Sequence, residues 1–189
     1  GKTPLHAAAF LNDKNLAELL ILKGANVNAP GYDGFTPLMS AANSGSKEVL
    51  ELLLSKGAHV KVKNIDGETP LHVAKTKEII ELLLSKGADI NGKDNEGKTP
   101  ILSSKSLEIA EFFLSKGADL NSKDNNGNTL LHNVVASDYK KAAAFLLSKG
   151  ASINAKNDGG KSPLHIASEK GYKDMAAFLL SKGADINSK

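Results

Sequence analysis

The stretch LLLSKGADI, at Leu82–Ile90, decides the fold, because the chain writes it again and again. It returns as ILKGANV (Ile21–Val27), LLLSKGAHV (Leu52–Val60), FFLSKGADL (Phe112–Leu120), FLLSKGASI (Phe145–Ile153) and FLLSKGADI (Phe178–Ile186). A second motif keeps the same beat. The glycines of G-x-T-P and its variants are Gly1, Gly34, Gly67, Gly97, Gly127 and Gly160, at steps of 33, 33, 30, 30 and 33 residues. A period of this size marks a solenoid, in which each unit buries its apolar face only against its neighbours. The expected units are 1–30, 31–63, 64–93, 94–123, 124–156 and 157–189, the third and fourth short, all within a single repeat domain 1–189.

Each unit carries its own start and stop signals. In GETPLHVAKTKEIIELLLSKGADI (Gly67–Ile90), Thr69 suits an N-cap and Pro70 the first helical position, where its missing N–H costs nothing. A short inner helix is expected there, then a turn, then a second helix burying Ile79, Ile80, Leu82, Leu83 and Leu84. Lys86 lies near its end, favourable to the helix dipole, and Gly87 supplies a left-handed C-cap. LLLSKGADI therefore reads as a buried helix face, its stop signal, and the exit toward the next unit.

The residues TPLHAA (Thr3–Ala8), TPLHVA (Thr69–Ala74) and SPLHIA (Ser162–Ala167), each followed by a close like GADIN, resemble ankyrin repeats. The resemblance spans essentially the whole chain. It implies an all-α repeat solenoid: stacked antiparallel helix pairs joined by β-turn fingers, with a concave face. The pattern weakens to TPLM at Thr36–Met39, TPIL at Thr99–Leu102 and TLLH at Thr129–His132.

The two 30-residue units depart further. From N-cap to C-cap glycine the others span 21 residues, whereas Thr69 to Gly87 and Thr99 to Gly117 span 18. The loss falls at the end of the inner helix and the turn after it, where AANSGSKEV (Ala41–Val49) shrinks to VAKTKEI (Val73–Ile79). Three residues are about 4.5 Å of helix. Two adjacent trimmed units are expected to leave a notch on the concave side and to open at lower cost than the second unit.

Composition narrows the function classes. Cysteine is absent, which removes disulfides, thiolate catalysis and cysteine-based zinc sites. The net charge is a mild +3, and all 24 basic residues are lysine. Nucleic-acid surfaces favour guanidinium forks and stacking aromatics, so this lysine-only chain with 5% aromatics fits them poorly. No run is long and apolar enough for a membrane span, and the start does not resemble a signal peptide. An intracellular, cytoplasmic location is the default expectation.

No constellation reads as catalytic. His6, His72, His132 and His165 share one repeat position, and equivalent atoms in stacked units lie roughly 8–10 Å apart, too far to share one zinc. By resemblance they are structural, bonding the Thr and nearby backbone; His59 stands alone on a turn. Glu18, Glu48, Glu78 and Glu108 are expected to start successive second helices. NDGGKS (Asn157–Ser162) lacks the spacing of a phosphate loop. No cofactor, metal or small-molecule substrate is expected, and the chain is read as a non-enzyme. Two lysine columns repeat: Lys23, Lys56, Lys86, Lys116, Lys149 and Lys182 precede the cap glycine. Lys63, Lys93, Lys123, Lys156 and Lys189 precede the finger, where Asp66, Asp94, Asp124 and Asp158 are expected to neutralise them.

The resemblance implies partner contacts at finger tips and the exposed ends of inner helices. The candidates are Phe10, Leu11, Tyr32, Asp33, Phe35, Asn43, Ser44, Ile65, Asp66 and Glu68. The matching positions further on, among them Asn95, Glu96, Lys98, Asn125, Asn126, Asn128, Asp158 and Lys161, are polar, and aromatic anchors are what interface hot spots are made of. The expected function is a scaffold, monomeric by itself, that binds another protein through its fingers and concave face. A targeting segment of a multidomain enzyme or channel, and an electrostatic binder of nucleic acid or acidic surfaces, are the alternatives. The resemblance also implies hydroxylation at closing asparagines such as Asn91, Asn121 and Asn187. Apolar residues kept in the last helix, Met175, Phe178 and Leu179, lead to the expectation that further repeats continue the natural chain.

Overall fold

The computed structural model describes all 189 residues, in eleven α-helices with no strand. It is an all-α repeat solenoid made of two compact units, Gly1–Gly117 and Ala118–Lys189. The first holds α1 (Pro4–Leu11), α2 (Lys14–Leu22), α3 (Pro37–Ser44), α4 (Lys47–Ser55), α5 (Lys77–Ser85), α6 (Pro100–Ser103) and α7 (Leu107–Ser115). The second holds α8 (Leu130–Ala136), α9 (Lys140–Ser148), α10 (Pro163–Glu169) and α11 (Lys173–Ser181).

The inner helices start where the T-P-L-H motif puts them. Thr3, Thr36, Thr99 and Ser162 are extended N-caps, each with proline in the first turn. In α1, α8 and α10 a reciprocal capping box forms with histidine in place of the usual Glu or Gln. Helix α8 forms it without the proline, so the Thr–His pair suffices as a start signal.

The second helices stop at glycine. Gly24, Gly57, Gly87, Gly117, Gly150 and Gly183 have φ between 85° and 95°. The next residue then donates back five positions, as Ala58 does to Leu53 at 2.9 Å and Ala151 to Leu146 at 2.9 Å. That bond satisfies a carbonyl the helix end would otherwise orphan. The apolar face ahead of each stop makes the core: Leu50, Leu53, Ile79, Ile80, Leu83 and Phe113 in the first unit, Leu131, Val135, Leu146 and Leu179 in the second. Full burial of such a side chain contributes roughly 1.5–3 kcal/mol.

Three sequence expectations need correction. The first copy of the recurring stretch is not a buried face. Helix α2 packs on α1 and α4, and only Ala17 is fully covered; Leu16, Leu19 and Leu22 stay exposed, Leu22 at 81%. Glu18 does not start a helix either. It is the fifth residue of α2, in register with Glu51, while Glu48, Glu78 and Glu108 do lie in first turns. Lastly, the third unit has no inner helix: Pro70–Val73 forms only turns, with His72 N–H bonded to the Thr69 carbonyl at 3.0 Å. In the fourth unit α6 is a single turn of 4 residues. Too few residues remain before the next helix cap for a ladder of i→i−4 bonds to propagate.

Candidate partner-binding surface

Each finger is a five-residue turn closed by a backbone bond from its first N–H to its last carbonyl. These run Gly31 to Phe35 at 2.8 Å, Asn64 to Glu68 at 3.0 Å and Asp94 to Lys98 at 3.0 Å in the first unit. In the second they run Asp124 to Asn128 at 3.0 Å and Asn157 to Lys161 at 3.0 Å. An Asn or Asp carboxamide or carboxylate oxygen sits inside the turn and accepts backbone N–H groups, as Asn64 Oδ1 does from Asp66 at 3.1 Å and Glu68 at 2.8 Å.

Fingers within a unit are tied to each other. Ile65 N–H donates to Asp33 at 2.8 Å, Asn95 to Asp66 at 2.9 Å, and Asp158 to Asn126 at 3.0 Å. This approach explains the glycine at the fourth position of fingers that another finger covers. A Cβ added to Gly67 would lie 2.7 Å from the Asn95 nitrogen, and one added to Gly127 2.6 Å from that of Asp158. Their φ values, 77° and 75°, disfavour a side chain independently.

The histidines form a second tie. Thr129 N–H donates to His132 Nδ1 at 3.1 Å, so that nitrogen is bare and the Thr129 hydroxyl, at 2.8 Å, donates to it as well. The ring proton must then sit on Nε2, which donates to the Lys161 carbonyl at 3.1 Å in the next finger. His6 reaches the Phe35 carbonyl the same way at 2.7 Å, and His72 that of Lys98 at 3.0 Å. Burial, partly offset by the carbonyl each ring faces, holds the His6, His72 and His132 imidazoles below their ordinary pKa. They are neutral structural rungs. Burial keeps the ring uncharged, and the bonds fix which nitrogen carries the proton.

The finger-side lysines reach along the stack: Lys63 Nζ donates to the Lys93 carbonyl at 2.8 Å, Lys123 to Lys156 at 2.7 Å, and Lys156 to Lys189 at 2.6 Å. Each ammonium caps the backbone of its counterpart one repeat on. The closing asparagines are likewise engaged: Asn28 Oδ1 accepts from His59 N–H at 2.9 Å, Asn121 from Ser152 at 2.9 Å and Asn154 from Asp185 at 2.9 Å.

Against this hydrogen-bonded framework the ten expected contact residues separate. Tyr32 is 92% exposed and Ile65 66%; Phe10 and Leu11, at the end of α1, are exposed too. Asp33 and Asp66 are exposed at finger tips. Phe35 and Glu68 are half-buried: Phe35 anchors its own turn and His6, and the Glu68 carboxylate accepts from Asn64 at 2.8 Å. Asn43 is half-buried, and the Ser44 hydroxyl is spent on the Ser40 carbonyl at 2.9 Å and Ser46 at 2.7 Å. At the corresponding finger tips of the second unit, Asn125, Asn126 and Asp158 are exposed and polar.

The trimmed segments bound a cleft of about 350 Å³ in the first unit. Val73, Ala74 and Ile109 line it with Lys75, Ser103, Lys105 and Ser106, none of them among the ten contact residues expected from the sequence. Their signal was the three-residue deletion itself. No group of three or more His, Asp or Glu residues is placed to hold a metal ion, and no helix is long and apolar enough to cross a membrane.

The family model described as ankyrin repeats (3 copies) matches residues 1–64, 60–124 and 101–189. Among solved structures, the ankyrin repeat domain of Bcl-3, described as a unique member of the IkappaB protein family, superposes with TM-score 0.82. It is 26% identical, over 100% of this chain and 90% of that one. An ankyrin repeat domain from Acinetobacter baumannii AYE superposes with TM-score 0.77 at 27% identity, over 96% of this chain and 98% of its own. No curated protein matches the sequence.

Proposed function

The chain belongs to the ankyrin-repeat family, and on that premise we propose that it is a non-catalytic scaffold whose six repeats present the first-unit fingers to a protein partner. Ankyrin-repeat domains are in general protein-interaction modules, which gives the class of activity. The observation that carries the finer reading is the contrast at the finger tips. Tyr32, at 92% exposure, and Ile65, at 66%, are held out by turns whose backbone is locked on both sides. An aromatic at a solvated tip contributes almost nothing to folding, and a preorganised one loses little entropy on binding. Phe10 and Leu11 extend the same apolar offering at the end of α1. Phe35 takes a mixed role, supporting the finger through its main chain.

The test is comparative capture. Proteins retained on the immobilised chain are identified by mass spectrometry, and their affinity is measured for Tyr32→Ala, Ile65→Ala and Asn125→Ala variants. Tyr32→Ala is expected to weaken a true partner about thirtyfold, or about 2 kcal/mol, with the melting temperature almost unmoved. Asn125→Ala should bind normally. A partner lost with Asn125→Ala and kept with Tyr32→Ala places recognition elsewhere.

A further inference from the structure

The cleft beside the trimmed segments carries two lysines, Lys75 and Lys105, among small and apolar side chains. In the second helix pair the turn closes on itself: Ser46, the cap of α4, donates to the Phe10 carbonyl at 3.3 Å and bonds Ser44 at 2.7 Å. Ser106 holds the same position ahead of α7, but its side chain caps nothing, whereas Thr76 ahead of α5 accepts from Ile79 N–H. The Ser103 hydroxyl is likewise without a partner, and Lys75 and Lys105, exposed at the rim, form no ion pair. Two ammonium groups and two hydroxyls therefore line the cleft together with the apolar Val73, Ala74 and Ile109. The one carboxylate lining the cleft, Glu68, is drawn aside by Asn64 Nδ2 at 2.8 Å. The neighbouring Lys77 is already paired with Glu108 at 2.7 Å.

Two lysines without ion partners, beside hydroxyls and small apolar side chains, suit a carboxylate carried next to a small apolar residue. We propose that this cleft receives an acidic segment of the partner protein, a Glu or Asp side chain lying between Lys75 and Lys105 with a small neighbour on Val73. The proposal rests on the reading of the chain as a protein-binding scaffold and adds a second, electrostatic contact to the apolar fingers. Each of the two trimmed repeats gives the cleft one of its lysines, Lys75 from the third and Lys105 from the fourth.

The probe is a fluorescein-labelled peptide, Glu-Glu-Ala-Glu-Glu-Ala-Glu-Glu, titrated against the full chain by anisotropy at about 0.1 M salt, where charge contacts persist near the surface. Its all-Gln counterpart should bind at least tenfold more weakly. The pair Lys75→Glu with Lys105→Glu should weaken the acidic peptide at least tenfold. The pair Lys141→Glu with Lys173→Glu, the same change of charge on α9 and α11, should leave it unaltered. Amide shifts in the labelled protein should cluster at 73–75 and 103–106. Equal loss from both lysine pairs, equal binding of the Gln peptide, shifts elsewhere, or no binding of the acidic peptide each overturns the proposal. If the cleft fails while a Tyr32-dependent partner remains, only this inference falls; loss of every Tyr32-dependent partner removes the scaffold reading instead.

Discussion

Replacing His132 by alanine tests the claim that the histidines are rungs between repeats and not spare bases. The ring is 1% exposed and makes three bonds: from Thr129 N–H at 3.1 Å, from the Thr129 hydroxyl at 2.8 Å, and to the Lys161 carbonyl at 3.1 Å. The Lys161 carbonyl keeps its bond from Asn157 N–H, so it is not orphaned. Thr129, only 2% exposed, loses the acceptor for its N–H. One buried orphan costs about 1–3 kcal/mol, and the vacated ring adds about 1–2 kcal/mol of lost packing. The expected loss is about 3 kcal/mol. His165 is the internal control: it bonds Ser162 N–H at 3.2 Å and the Ser162 hydroxyl at 2.8 Å, is half-buried, and has no carbonyl on Nε2. His165→Ala also takes the acceptor from a buried N–H, that of Ser162, but loses no carbonyl bond and less packing, so a smaller cost of about 1–2 kcal/mol is expected. Urea unfolding of the full chain, followed by far-UV circular dichroism, compares the two. Equal losses, or less than about 1 kcal/mol for His132→Ala, refute the rung.

Two further outcomes follow from the same geometry. Because burial lowers the folded pKa of His6, His72 and His132 below the unfolded value of 6.5, the unfolded chain binds more protons below pH 6.5. Stability is therefore full above pH 6.5 and falls as pH drops from there toward the folded pKa values; a urea midpoint unchanged between pH 7.5 and 5.5 contradicts this. Asp138, at φ 52°, occupies the turn position held elsewhere by Gly45 and Gly171, so Asp138→Gly should stabilise by about 0.5–1 kcal/mol in thermal melts. At Asn12, φ 56°, the same change should gain nothing, because its side chain bonds Glu48 and Val49 N–H.

The fold was legible because stacking demands the same residue at the same place in every unit. The T-P-L-H start, the cap glycine and the apolar face each answer a local requirement, and their repetition multiplied the signal. Where the reading failed, the missing information was non-local. Leu16 and Leu19 have the pattern of Val49 and Leu52, yet the first pair is exposed and the second buried, because burial depends on the packed neighbour and not on the pattern. The partner of Lys63, a backbone carbonyl 30 residues on, has no side chain to announce it. Pro70–Val73 kept a helix's start signal and lost the length that a helix needs.

The same reasoning says where partner information must lie in such a chain. Positions that recur are held by the scaffold: histidine by the next carbonyl, lysine by the next lysine's backbone, asparagine by the next closing turn. A side chain already engaged in that way has little left to offer a ligand. What the scaffold leaves unused are the breaks in the period. Tyr32 and Ile65 stand where other fingers carry Asn or Asp, and Lys75, Ser103, Lys105 and Ser106 line the cleft beside the trimmed segments. These breaks are of two kinds, apolar at the tips and cationic at the cleft, and both fall within Gly1–Gly117. Neither kind improves folding: an exposed tyrosine buries nothing, and unpaired donors around a cleft forgo hydrogen bonds that the second helix pair makes. Features that cost the scaffold a little and recur nowhere else in it are where recognition is to be sought first.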